Sequence, residues 1–246
     1  MEHKVAIVTG GSRGIGAATA KSLSANGWAV AVNYRNHESA AKETAAQIEQ
    51  TGGAVMLIQG NTASESDVTR MFDEVSAAWG RLDGLVNNAG IVGPRGRFEV
   101  LPHAAMEEVL AVNVIGYMLC ARAAVKSMST NYNGNGGVIV NVSSGSAHRG
   151  GANDNILYAV SKGAVNSLTI GLSQEVAGEG IRVNAVAPGL TRTDMPSPQA
   201  LATQGATIPI GRIGGAEEIA EGIVWLMSEK ASYVAGANLR IAGGRP

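Results

Sequence analysis

The chain has 246 residues, 33 of them glycine, with 16% charged residues and a formal net charge of −1 at pH 7. Its lysines and arginines are scattered without a basic run, which argues against a nucleic-acid surface. One cysteine, Cys120, excludes an internal disulfide and a cysteine zinc cluster, and the four histidines lie far apart, so no metal centre is expected.

The apolar run at residues 5–8 is too short for a signal peptide, and no uninterrupted apolar run approaches the ~18 residues of a membrane span, so a cytoplasmic protein is expected. Nothing reads as a linker, and the length suits one domain over residues 1–246. Residues 5–9 form a short β-branched run that feeds into a glycine turn at 10–16 and then good helix formers at 17–26. Strand, glycine turn and helix in that order let the backbone approach a phosphate, whose charge the helix amides stabilise. Gly10, Ser12, Arg13, Gly14, Ile15 and Gly16 are therefore candidate cofactor-binding residues. Residues 29–33 read as a second buried strand, completing a βαβ unit of about 30 residues.

The tip of that strand, Asn33-Tyr34-Arg35, lacks the acid that usually holds the ribose of NAD. Arg35, with Arg13, can pair with a 2′-phosphate, so NADP(H) is favoured and NAD(H) is the alternative; Tyr34 joins the candidate set. Helical spacing follows at 38–50, a third strand at 54–59 with Asn61 beyond its end, and a helix from a Ser64 cap to Trp79. Residues 82–86 read as strand four, leading into Asn87-Asn88-Ala89-Gly90, where Asn88, Ala89 and Gly90 suit close approach of a cofactor.

The loop at 94–102, with Arg95, Arg97 and Phe98, borders the substrate in this reading. Residues 106–128 have helical character with Asn113 inside, where a polar amide is otherwise explained as an exposed or capping residue. The glycine-rich loop at 130–136 carries no chemistry. Strand five, 137–142, ends in Ser143-Ser144, and a helix from Ile156 places Tyr158 and Lys162 at i and i+4 on one face. A phenol titrating near ~10 becomes a useful acid or base when a neighbouring ammonium lowers that value. The Ser144 hydroxyl at the strand end can hydrogen-bond a substrate oxygen. His148 reads as a solvated loop residue, within a polar stretch at 148–155 suited to line a pocket. The helix runs to about residue 177, strand six covers 181–187, and a Pro188-Gly189 loop follows. Residues 195–212 hold three prolines and small residues, suiting a mobile substrate lid. A last helix at 216–227 and strand seven at 238–241 complete an alternating pattern. It predicts an α/β fold: one doubly wound Rossmann domain, a seven-stranded parallel sheet with helices on both faces.

With TGGSRGIG at 9–16, NNAG at 87–90, and Asn113, Ser144, Tyr158 and Lys162 in order, the chain resembles the classical short-chain dehydrogenase/reductase family from end to end. The resemblance implies Tyr158 as acid/base, Lys162 lowering its pKa and holding the cofactor ribose, and Ser144, rather than Ser143, orienting the carbonyl oxygen. It implies that Asn113 distorts its helix and holds a water linked to Lys162. It makes 188–193 the nicotinamide loop, adding Pro188, Gly189, Thr191 and Thr193 to the cofactor set with Tyr158 and Lys162. It also implies a homotetramer built on the helices of Asn113 and Tyr158. Asn61 departs from the aspartate many relatives carry near the adenine, and Ala242 from a frequent acid. Glu179 stands where reductases of carrier-bound substrates commonly have arginine, and its charge would repel an acidic carrier. The implied function is NADP(H)-dependent interconversion of a small ketone or aldehyde and its alcohol. A sugar or polyol dehydrogenase, a 3-oxoacyl thioester reductase and a silent nucleotide-sensing protein are the alternatives.

Overall fold

Short runs rich in Val, Ile and Ala suit strands covered on both faces, and most of the seven strands that pair here carry one. The computed structural model describes residues 3–245; residues 1 and 2, which begin the segment read above for a signal peptide, and residue 246 lie outside the described residues. The strands are β1 (Lys4–Val8), β2 (Trp28–Tyr34), β3 (Val55–Gln59), β4 (Gly84–Asn87), β5 (Gly137–Val142), β6 (Ile181–Pro188) and β7 (Asn238–Ile241). They form one parallel sheet in the order β3-β2-β1-β4-β5-β6-β7, with Val8 opposite both Val32 and Val86. The chain winds outward from β1 to β3 and then returns to β4, so the carboxyl ends of β1 and β4 diverge into a crevice at the reversal.

Helices α1 (Gly14–Ala25), α2 (Glu38–Gln50), α3 (Glu65–Trp79), α4 (His103–Leu110), α5 (Gly116–Met128), α6 (Ser146–Arg149), α7 (Ile156–Val176), α8 (Pro198–Thr203) and α9 (Ala216–Met227) connect and cover the strands. Alternate strand residues feed two cores. On one face Ile7, Leu85, Ile139 and Val183 pack with Met71 and Phe72 of α3, Cys120 and Ala124 of α5 and Val176 of α7. On the other, Val8, Val32, Val86 and Val140 pack with Leu23 of α1 and Ile219 and Ile223 of α9. The Ser64 cap is present, its side chain accepting from the Asp67 amide, and Gly80 closes α3 in the left-handed region at φ 70°.

The structure refines the sequence reading in three places. The helix expected over 106–128 is α4 and α5 joined by a π-helical turn, Ala111–Ile115. The stretch His103–Met128, which holds an 18-residue window of mean hydropathy 1.5, is long and apolar enough to cross a membrane, the one such stretch among the described residues. Its buried residues, among them Tyr117, Cys120, Ala121, Ala124 and Met128, instead face the sheet. The polar segment after β5 contains the short helix α6, and the segment 195–212 contains α8.

Candidate active site

The glycine turn after β1 is shaped by contacts that leave no room for side chains. Gly10 and Gly14 have φ of 60° and 54°, in the region that glycine alone enters freely. A Cβ on Gly16 would stand 2.3 Å from the Gly10 carbonyl oxygen, and one on Gly10 would stand 2.9 Å from Ala89 Cα. Asn88 braces the turn by donating from Nδ2 to the carbonyls of Thr9 (2.9 Å) and Gly10 (3.0 Å), while Thr9 Oγ1 accepts from the Asn88 and Ala89 amides. Asn33 Oδ1 accepts from the Gly10 amide. No side chain caps the first turn of α1, so its amides face outward toward the crevice mouth. That open, side-chain-free cradle fits the pyrophosphate of a dinucleotide.

A crevice of about 520 Å³ runs from this cradle past Ser12, Tyr34, Arg35, Asn61, Asn88 and Gly90. At its rim the Arg13 guanidinium pairs with Asp194 at 3.3 Å, the residue before the segment read as a lid. Asn61 Oδ1 accepts from the Ala63 amide, so its side-chain oxygen serves a local turn.

A second crevice, of about 300 Å³, adjoins the first and is lined by Ser144, Tyr158, Lys162, Pro188, Gly189 and Thr193, among others. Ser144 lies just beyond β5, where its Oγ accepts from the Ser146 amide and its side chain hydrogen-bonds the Tyr158 phenol. Ser143 points elsewhere, donating to Asn166 Oδ1 and the Lys162 carbonyl. Tyr158 is half-buried on α7, and Lys162, one turn on, is 2% exposed. Lys162 Nζ donates to the Val142 carbonyl (2.7 Å) and to Tyr117 Oη (3.0 Å), and lies 5.6 Å from the centre of the Tyr158 ring. The loop after β6 is held by the Gly189 amide on the Ile241 carbonyl; Thr191 Oγ1 donates to the Gly189 carbonyl, and Thr193 packs against Gly14.

The electrostatics differ from the expectation that Lys162 lowers the tyrosine. Burial raises the Tyr158 phenol above its ordinary value, and the opposing pull comes from the Ser144 hydrogen bond. Burial also pulls Lys162 down to about 7. The same desolvation acts on both groups, and the lysine donates to Val142 and Tyr117 rather than to the phenol.

Asn113 lies in the π-helical turn, fully buried, so it is neither an exposed residue nor a cap. Its Nδ2 donates to the Ile91 carbonyl (2.8 Å) and Ser161 Oγ (2.9 Å), and its Oδ1 accepts from the Ile91 amide. It thereby fastens the loop after β4 to α7, one residue before Lys162. The Gly116 amide bonds the Ala111 carbonyl five residues back, the wider ring of a π turn. Sequence reading missed Tyr117, which lies one turn beyond Asn113, is 1% exposed, and donates from Oη to the Val142 carbonyl. It also missed Thr9 and Asn33, which hold the glycine turn. The spacing of Tyr117 from Asn113 was the available signal for the first, and proximity to the glycine turn for Thr9.

A family model described as enoyl-(acyl carrier protein) reductase matches residues 10–245. The uncharacterized oxidoreductase YgfF of Escherichia coli K12 is 46% identical over 98% of this chain and 99% of its own length. Cis-4-hydroxycyclohexanecarboxylate dehydrogenase of Sinomonas cyclohexanicum is 38% identical over 98% of this chain and 96% of its own. A Burkholderia cenocepacia short-chain dehydrogenase solved in complex with NADP superposes with a TM-score of 0.91 at 36% identity, covering 98% of this chain and 97% of that one.

Proposed function

Because the chain belongs to the classical short-chain dehydrogenase/reductase family, and so is an NAD(P)-dependent oxidoreductase, we propose that it interconverts a small ketone or aldehyde and its alcohol with NADP(H) preferred. The observation that carries this reading is the meeting of Ser144, Tyr158 and Lys162 in one crevice that continues into the open glycine cradle. When bound, a reduced nicotinamide would supply a hydride, which carries both electrons, for the carbonyl carbon. Ser144 orients the carbonyl oxygen by hydrogen bonding. Tyr158, kept protonated by burial, gives its proton to that oxygen as the C=O π bond becomes C–H and O–H. Lys162, in the same crevice, would hold the cofactor ribose, and Asn113 positions the helix that carries Tyr158 and Lys162. Oxidation reverses these proton movements.

The preference for NADP(H) rests on Arg35 at the β2 tip and Arg13 in the turn, with no acid at that tip. Pro188, Gly189, Thr191 and Thr193 hold the nicotinamide end, and residues 195–212 act as a lid within a single 1–246 domain. A homotetramer is favoured by apolar side chains left exposed on the outer faces of the two helices involved, Ile115 and Met118 beside α5 and Val160 and Ile170 on α7. The protein is assigned to the cytoplasm.

Tyr158→Phe should keep dinucleotide affinity, read by fluorescence titration, and lose turnover of carbonyl substrates by at least ~100-fold. Full activity in that variant would overturn the assigned proton donor. Arg35→Ala should lower the ratio of kcat/KM for NADPH over NADH by about tenfold, the value of one charge-assisted contact. An unchanged ratio removes Arg35 from cofactor selection.

A further inference from the structure

The Lys162 ammonium is enclosed by the protein, yet what meets it is neutral. Its Nζ donates to the Val142 carbonyl at 2.7 Å and to Tyr117 Oη at 3.0 Å, and no carboxylate lies within ion-pair distance of it among the described residues. Tyr117 is the second residue of α5, is 1% exposed and lines neither crevice. Its own hydroxyl proton goes to the Val142 carbonyl at 3.0 Å, which turns the oxygen lone pairs toward Nζ. Nζ, Oη and the Val142 oxygen thus close a triangle of hydrogen bonds. The Tyr117 backbone is held as well: its carbonyl accepts from Asn87 Nδ2 at 3.2 Å, and the same nitrogen donates to Asn141 Oδ1, tying α5 to β4 and β5 at this point. The Tyr117 ring centre stands 4.6 Å from Nζ, against 5.6 Å for the Tyr158 ring. Burial raises the Tyr117 phenol well above its ordinary value, so it remains an uncharged acceptor.

An ammonium carries three N–H groups in a tetrahedral array, so fixing two of them fixes the third. With Val142 alone as partner, the group could still spin about the Cε–Nζ bond. The Tyr117 hydroxyl removes that freedom and leaves the last N–H to the crevice, where a Cβ on Gly90 would stand 3.7 Å from Nζ. We infer that Tyr117 is a positioning residue for Lys162: its hydroxyl, oriented by the Val142 carbonyl, takes one ammonium N–H and thereby aims the remaining one at a dinucleotide bound in the crevice. This rests on the NAD(P)-dependent reading above and extends the cofactor machinery to a side chain buried behind it.

Tyr117→Phe is the decisive variant, because it keeps the ring beside Nζ and removes only the hydroxyl. NADPH affinity, read by fluorescence titration, should weaken about three- to tenfold at about pH 8, the net value of one hydrogen bond. The loss should be smaller at about pH 6. Burial pulls Lys162 down to about 7, and an acceptor favours its charged form, so without the hydroxyl the charge is lost at lower pH and the two proteins diverge as pH rises between those values. In a Lys162→Met background the same substitution should change affinity by less than about twofold, since no ammonium is left to aim. A side chain that merely propped β5 would weaken binding equally in both backgrounds. Should Tyr117→Phe fail to fold, Tyr117→Met, which fills the space with a flexible apolar chain, is read in the same cycle. Unaltered NADPH affinity without the hydroxyl, or an equal loss with and without Lys162, overturns the inference. None of these readings needs a carbonyl substrate, so a failure of the proposed reaction is told apart from a failure here; a wild type that binds no dinucleotide overturns both.

Discussion

Lys162 shows how burial reshapes a residue whose place the sequence already indicates. Its spacing from Tyr158 is legible because i and i+4 share a helix face whatever the tertiary structure. Its partners are not, since Tyr117 is 45 positions away and meets it only when α5 and α7 pack on the same face of the sheet. Nor is the direction of its charge equilibrium, which depends on how completely water is excluded. In the folded chain its pKa falls to about 7 from 10.5. Between those values the unfolded chain holds more protons, so this group's contribution to stability rises with pH through that window and is lost as pH falls toward 7. Wild-type stability relative to Lys162→Met should therefore climb by up to about 1.4 kcal/mol per pH unit from about pH 7 to 10, measured by denaturant unfolding. A flat difference across that range would mean that water reaches the ammonium in the folded state.

Among the elements, strands and their order of appearance read well because apolar runs bounded by glycine and polar turns leave few alternatives. The short helix α6 did not, and the form of the helix distortion at Asn113, implied by the family resemblance alone, is a π-helical turn at Ala111–Ile115. A π turn shifts the apolar face by one residue, too little to disturb a helical pattern, and this one holds Asn113, whose side chain bonds the Ile91 backbone 22 positions away. The glycine turn was recognised, but its reason is more specific than permissive backbone. Gly16 has an ordinary backbone conformation yet faces the Gly10 carbonyl and Asn88 Nδ2, both of which a methyl group would strike. Gly16→Ala should destabilise the chain by about 1–3 kcal/mol, as overpacking does, and weaken dinucleotide binding together with it. Thermal melting and a cofactor titration would check this; an unchanged melting temperature with unchanged affinity would show that the turn can yield.

At the scale of the whole molecule, one doubly wound, seven-stranded parallel sheet was legible, since strand–helix alternation and the handedness of crossovers permit few arrangements. The lining of the crevice beside Tyr158 was legible only in part, because residues 95, 149 and 245 share it only once the segments that follow β4, β5 and β7 converge. The same distribution has a kinetic meaning. Thr9 bonds residues 79 and 80 positions on, and Asn113 bonds Ser161 across 48, so these two residues wait on partners made much later. A nascent chain emerging from the ribosome cannot hold a competent tyrosine until the strand carrying Ser144 and the helix behind it have docked. Proteolytic fragments ending before α7 should be chemically silent, and recovery of turnover on refolding would serve as a clock for the slowest long-range pairing in the sheet.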